Sequence, residues 1–307
     1  MSILSFPDRG PWGDARYRGN CSGHVYKALF EQLRPRSFCD PMMGSGTSIE
    51  VAQEMGIEAH GLDLRLGFNA LRQSILQAIG GEAVDLVLSH PPYGDMVIYS
   101  SSVYGDTPIP DDLSWCESDQ DFHEKLQRVL LNQREATRAG GHYGTIIGDL
   151  RQKGRYVSYQ AEAIARMPSD ELVAVLIKAQ HNVMSASRTY TRMTMPRIQH
   201  EYILLWQKRE RTTFSLLKGM ATTAASRLRA TWKAIVHMAM VSLGGSASLA
   251  DLYAAVKSSA PQANLESNSN VEAKVRQVLQ LNPDLFRREA SGVWGLADPK
   301  PVLRKAA

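Results

Sequence analysis

No apolar run in this chain approaches the roughly 18 residues that a membrane span needs. Its first residues, Met1-Ser2-Ile3-Leu4-Ser5-Phe6-Pro7, lack the basic-then-apolar pattern of a secretory leader. Cysteine is scarce. Cys21, Cys39 and Cys116 are odd in number and none stands in a C-x-x-C pair, which argues against a disulfide framework and against structural zinc. A reducing, cytoplasmic setting is therefore expected, with no membrane association and no metal. The chain also lacks a third glycine to complete G-x-G-x-x-G at its Gly44-Ser45-Gly46 turn, and a lysine there for a phosphate loop, so dinucleotide and ATP sites lose ground.

What is present is ordinary globular material. The 307 residues are 44% hydrophobic and 21% charged, enough for one large domain and a small one. The formal net charge of +4 is unevenly placed: from Thr212 onward there are 12 Lys and Arg against 6 Asp and Glu. Basic charge attracts phosphates irrespective of sequence, so a nucleic-acid partner is one reading of this tail, and a soluble basic surface is the other.

Residues 37–40 read as a short buried strand, 47–55 as a helix stopped by Gly56, and 58–64 as a second strand. Helical spacing predicts a helix over 70–79, and the apolar run 84–89 predicts a strand. Further along, 122–138 reads as a helix and 142–149 as a strand. The runs 171–179 and 201–208 read as an antiparallel pair at the sheet edge. This alternation predicts an α/β fold, a doubly wound and mainly parallel sheet. Only 21 residues lie between Asp63 and Asp85, room for one helix but hardly for another strand and helix. Residues 94–115 have no clean period, and a loop this long in a compact domain is functional or disordered. After a break near 210–212, three helical stretches (231–243, 248–256 and 270–281) precede a hairpin around Ser291-Gly292. The expected domains are 1–211 and 212–307.

Two motifs carry chemistry. Asp40-Pro41-Met42-Met43-Gly44-Ser45-Gly46-Thr47 puts a glycine-rich turn between a strand and a helix start. Its glycines allow close backbone approach, and its N–H groups suit an anion. Ser89-His90-Pro91-Pro92-Tyr93 is a rigid, aromatic-tipped loop at the end of another strand. Asp63, near the end of the second strand, suits ribose hydroxyls, as acids do in dinucleotide folds. Phe68-Asn69 follows, either as an adenine contact or as core.

Together these motifs, over roughly residues 6–208, resemble the DNA amino-methyltransferases with cofactor motif before catalytic motif, the γ order. The resemblance implies S-adenosyl-L-methionine as cofactor. Asp40, Pro41, Met42, Gly44, Ser45, Gly46 and Thr47 would hold its methionine end, with Asp40 on the ammonium. Asn20, Cys21 and Ser22 would close over it, and Asp63, Phe68 and Asn69 would take the nucleoside. It implies methylation of an exocyclic amine, adenine N6 placed ahead of cytosine N4, on a base flipped out of double-stranded DNA. The loop Pro91-Pro92-Tyr93 would accept and stack that base. The family slot for Asp, Asn or Ser is filled here by His90; a neutral imidazole accepts one hydrogen bond, and Ser89 is a second candidate acceptor. Tyr93 would be the stacking platform, with Tyr99 and Tyr104 in the long loop as lid or filler. Arg188, Tyr190, Arg192 and Arg197 would reach phosphates or a guanine edge, or form a solvated loop. Asp149 would line the base pocket or simply start a helix. The C-terminal segment resembles a winged helix-turn-helix, and a restriction nuclease is a possible partner in such systems. Two alternatives stand beside this reading: an RNA or protein-amide methyltransferase, and a DNA-binding regulator that keeps the fold without turnover.

Overall fold

A computed structural model describes residues 1–93, 97–100, 105, 107, 109–152, 154–181, 195–209, 225–258 and 270–298, the backbone alone over 225–231. The boundary expected near 211, and the roles expected of Tyr104, Arg188, Tyr190 and Arg192, lie outside these residues.

The architecture is a doubly wound α/β fold built on a seven-stranded, mainly parallel sheet. Its strands are β1 (Ile3–Leu4), β2 (Ser37–Asp40), β3 (Glu58–Gly61), β4 (Val84–Ser89), β5 (Thr137–Ile147), β8 (Leu172–Ala179) and β9 (His200–Gln207), in the order β1-β8-β9-β5-β4-β2-β3. Only β9 runs against the rest. Every residue of β4 is buried, as an interior parallel strand requires; Leu86-Val87-Leu88 supply the apolar signal, and the buried Asp85 accepts the Arg36 and Ser37 N–H groups. Helices α1 (Gly23–Leu33) and α2 (Thr47–Glu54) contribute to the core on one face, around Phe30, Phe38 and Leu86. On the other lie the single turn α3 (Ile75–Ala78), α4 (Asp119–Ala136) and α5 (Tyr159–Arg166), around Leu126, Tyr143 and Trp206. β6 (Leu150–Gln152) and β7 (Arg155–Val157) form a separate hairpin.

Two expectations change, and the short stretch between Asp63 and Asp85 leaves out a strand as expected. The runs at 171–179 and 201–208 do pair antiparallel, but they are interior: β1 adds in parallel outside β8 and takes the edge. The chain between β3 and β4 holds no strand, so β3 is the opposite edge. The helix expected over 70–79 shrinks to Ile75–Ala78. Buried Asn132 on α4 is the reason. Its amide donates to the Ala70 and Gln73 carbonyls, both at 2.8 Å, and accepts from the Ile75 N–H at 3.0 Å. These backbone groups are satisfied without a helix.

The C-terminal residues build α6 (Ala225–Ser242), β10 (Ser246–Ser248), α7 (Leu249–Ser258), α8 (Val271–Leu281) and the hairpin β11 (Phe286–Ala290) and β12 (Val293–Leu296). The three strands pair antiparallel in the order β10-β12-β11. Trp232, Val236, Met240, Leu252, Val275 and Phe286 form their own apolar core. Asn270 precedes α8 as expected, but makes no side-chain capping bond. This unit docks on the sheet domain through α4. Lys233 pairs with Glu124, Gln77 Nε2 donates to the Ser242 carbonyl at 3.2 Å, and Arg72 Nη1 donates to the Ala297 carbonyl at 2.5 Å. No helix among the described residues is long and apolar enough to cross a membrane.

Candidate functional site

The chain leaves β2 toward β3 on one side and returns to β4 on the other. The crevice at the C-terminal ends of β2 and β4 is therefore the topological switch point, where open α/β sheets bind ligands. A cleft of about 780 Å³, its open mouth included, lies there. Of the expected cofactor residues, Asn20, Cys21, Pro41, Met42, Gly44, Ser45, Thr47, Asp63, Phe68 and Asn69 line it; from the loop after β4, His90 and Pro92 do.

The glycine turn is shaped for a ligand. Gly44 and Gly46 take φ of 54° and 87°, left-handed backbone that side chains disfavour. A Cβ on Gly44 would sit 2.9 Å from the Tyr17 ring. The Ser45 Oγ is buried on the cleft wall with no hydrogen-bond partner. A buried hydroxyl left orphaned calls for a polar ligand atom. Asp63 secures the turn from below: Oδ2 accepts the Gly44 N–H and Oδ1 the Arg65 N–H, both at 2.9 Å, while Arg65 Nη2 donates to the Gly44 carbonyl at 2.9 Å. The N-terminal segment is latched over the start of α2, where Thr47 Oγ1 donates to Asn20 Oδ1 at 2.6 Å.

Several expected contacts are placed otherwise. Asp40 does not line the cleft, because the turn uses its carboxylate: it accepts the Met42 N–H at 2.9 Å and the Ser48 hydroxyl at 2.6 Å. Gly46 and Ser22 are also outside it; the Ser22 hydroxyl donates to the Asp8 carbonyl at 2.9 Å. Ser89 is buried and its Oγ accepts from Gln133 Nε2 at 2.5 Å. Tyr93 packs its ring against Tyr159 and Gly148, away from the cleft lining. Asn69 does line the cleft, but one amide N–H already goes to Asp111 Oδ2 at 3.1 Å. Asp149 turns from the cleft to the β6–β7 hairpin, accepting from Tyr156 and Ser158. Arg197 is exposed.

Burial pushes the Asp40 carboxyl up to about 7; the Ser48 and Met42 bonds oppose this, and Asp63 adds to it. A raised folded-state value stabilises the protonated form. This contribution is complete below 3.8, fades as pH rises through about 7, and is flat above. Asp40→Asn keeps both contacts without a charge. Thermal melts from about pH 4 to 8 are expected to show the wild type losing stability relative to Asp40→Asn by up to about 1.4 kcal/mol per pH unit below 7. Parallel melting curves would refute this.

The sequence reading missed a buried cluster beneath the loop after β4. Lys178 on β8 and Glu201 on β9 are cross-strand partners, both buried. Lys178 Nζ bonds Glu201 Oε2, the Tyr93 hydroxyl donates to Oε1, and His90 Nε2 lies 3.4 Å from Oε1. One carboxylate thus holds both ring side chains of the loop. Burial works to raise the Glu201 carboxyl, but Lys178 and then His90 outweigh it and hold it well below the ordinary carboxylate value. Burial, and next Glu201, push the Tyr93 hydroxyl well up, so it stays protonated and donates.

Also unforeseen were Tyr17, Asp111 and Asp112 in the cleft wall. Asp112 organises the long loop, accepting the Ser100 and Ser114 N–H groups, each at 2.8 Å. Tyr99, expected as lid or filler, lines the cleft and donates to the Arg18 carbonyl at 3.0 Å. The aspartate pair in Ile109-Pro110-Asp111-Asp112 was a visible signal of a structured turn. The three cysteines are free and buried.

Fold and cleft define a doubly wound α/β protein with a ligand site at its switch point. No protein-family model matches the chain, and no curated protein matches its sequence. Solved structures match in fold. TrmN from Thermus thermophilus is 15% identical over 62% of this chain and 50% of that one, with a TM-score of 0.39. TTHA0409, also from Thermus thermophilus and complexed with S-adenosyl-L-methionine, is 18% identical over 48% and 49%, at 0.27. The T. thermophilus 16S rRNA N2 G1207 methyltransferase RsmC, in complex with AdoMet and guanosine, is 15% identical over 64% and 45%, at 0.32. The chain spans about half the length of each. Likeness this distant carries no functional argument.

Proposed function

We propose that the protein is an S-adenosylmethionine-dependent DNA methyltransferase acting on an exocyclic base amine, adenine N6 ahead of cytosine N4. The observation that carries the reading is the shared cleft. The glycine turn after β2, with its orphaned Ser45 hydroxyl, and His90 and Pro92 after β4 face one space, with Pro91 buried outside it.

The Ser45 hydroxyl and the first turn of α2 would take the carboxylate of the methionine moiety, since the Met43, Gly44 and Gly46 N–H groups are bonded within the protein, and Asp63 and Phe68 the nucleoside. When bound, the cofactor supplies an electrophilic methyl group. This chain's residues hold the amine in line with it. An exocyclic amine is a poor nucleophile because its lone pair is shared with the ring, so acceptors aimed at its N–H bonds and fixed alignment contribute the catalysis. His90 is the acceptor. With Nε2 held against Glu201, the proton sits on Nε2 and Nδ1 keeps its lone pair for the amine. Glu201 sets that tautomer, and through the Tyr93 hydroxyl it also fixes the other end of the loop. His90→Phe keeps a ring but removes the acceptor, so its single-turnover methylation rate is expected to fall by about 100-fold or more with S-adenosylhomocysteine affinity unchanged; a wild-type rate would overturn His90 in this role.

The C-terminal unit, residues 212–307, is read as a winged helix that binds duplex DNA. Its order of helix, strand, two helices and a hairpin supports this, as does its basic charge. The target base is flipped into the cleft. The test is to incubate the protein with S-adenosylmethionine and unmethylated plasmid, digest to nucleosides, and analyse by mass spectrometry. N6-methyladenine or N4-methylcytosine is the expected product. Cofactor binding with neither product would move the substrate to RNA or protein. Absence of both would leave a DNA-binding regulator.

A further inference from the structure

The chain after β5 carries a surface that methyl transfer does not use. The β6–β7 hairpin follows β5 at the C-terminal edge of the sheet, the edge that also carries the cleft. It begins in contact with the catalytic loop: a Cβ on Gly148 would lie 2.7 Å from the Tyr93 hydroxyl oxygen. Asp149 moors it, accepting from the Tyr156 hydroxyl at 2.8 Å, the Ser158 hydroxyl at 3.1 Å and the Gln160 N–H at 3.2 Å.

Although its hydroxyl is pinned, Tyr156 is 49% exposed. The Arg151 guanidinium lies 5.8 Å from its ring centroid. Arg151 Nη1 also donates to the Pro196 carbonyl at 3.1 Å, which brings exposed Arg197 alongside. Arg155 is exposed at the start of β7. Arg151 covers part of the ring and about half of the residue stays exposed; every nucleobase offers a π-face to stack on such a ring, while guanidiniums suit phosphates. An acidic peptide would satisfy the arginines but leave the ring unused.

We propose that the β6–β7 hairpin is a nucleic-acid-binding surface that receives the strand flanking the target base. Tyr156 stacks on a neighbouring base, and Arg151, Arg155 and Arg197 hold phosphates. The choice of DNA rests on the methyltransferase reading above; the surface adds a contact separate from the C-terminal unit.

The test uses the full chain, a fluorescein-labelled DNA duplex read by anisotropy, and methyl transfer to the same duplex. Arg155→Ala/Tyr156→Ala is compared with Arg138→Ala, a charge control at the far end of β5. The hairpin variant is expected to bind DNA at least about tenfold more weakly. Its salt dependence should be shallower by about one phosphate contact. S-adenosylhomocysteine affinity should be unchanged, and KM for DNA should rise more than kcat falls. DNA affinity equal to wild type overturns the proposal, as does an equal loss in Arg138→Ala. Wild-type protein that binds DNA through the hairpin but transfers no methyl group would support the surface and refute the enzyme. Loss of RNA binding, with DNA binding intact, would overturn DNA as the partner.

Discussion

Exchanging Glu201 for alanine is expected to abolish detectable methyl transfer and to destabilise the protein by about 3–5 kcal/mol. Both effects start from one carboxylate. Removing it strands the Lys178 ammonium in the sheet interior, and an uncompensated buried charge costs that much. It also frees the Tyr93 hydroxyl and releases His90 Nε2, so the loop loses its anchor and the imidazole its fixed tautomer. Because the Glu201 carboxyl is held low, the pair stabilises the fold above the ordinary value of 4.5 and fails only as pH falls well below it. Urea unfolding measures the first effect and single-turnover methylation the second. The double variant Lys178→Met/Glu201→Gln separates them. It removes both charges while keeping similar volume and an acceptor for Tyr93. Stability should return toward wild type while the methylation rate stays low. Full recovery of rate would show that Glu201 serves stability alone.

Asp63→Asn is expected to weaken S-adenosylhomocysteine binding by about 100-fold or more, close to 2.7 kcal/mol. Both carboxylate oxygens face backbone donors, the N–H groups of Gly44 and Arg65. An asparagine must turn its NH₂ toward one of them, replacing a bond with two opposed donors, and a buried unsatisfied N–H costs about 1–3 kcal/mol. The Gly44 turn, held at φ 54°, then loses the tie that holds it in shape on the cleft wall. Titration calorimetry gives the answer directly. An unchanged dissociation constant would mean that the turn is rigid without Asp63, and that the acid does not face the nucleoside.

The parts of this molecule that were legible in the sequence are those whose signal is local. β4 carries the apolar stretch Leu86-Val87-Leu88 just before His90, and the turn after β2 carries glycines that its backbone needs. The spacing between Asp63 and Asp85 was enough to exclude a further strand. What was illegible depends on partners far along the chain. Residues 70–79 have helical spacing, yet Asn132, 62 positions beyond Ala70, satisfies their backbone in another conformation. Lys178 and Glu201 look like ordinary charges in β-rich runs until the β8–β9 register sets them opposite each other and beneath the loop. Asp40 was assigned to the ligand because it ends a strand, as such acids do. Nothing local shows that Met42 and Ser48 reach its oxygens first.

The docking of the C-terminal unit bears on how this protein can be cut and recombined. Arg72 pairs with Asp111 on the cleft wall and, with another nitrogen, holds the Ala297 carbonyl at the end of the last strand. His237 of α6 is buried, and Arg128 on α4, which faces it, is buried too. Transplanting the C-terminal unit onto another core, or expressing residues 1–209 alone, would open that seam and expose the buried Arg128. The C-terminal unit and the sheet domain are thus not interchangeable cassettes. A chimera that keeps α4 and the 69–73 loop together with the C-terminal unit is the smallest exchange that respects the joint.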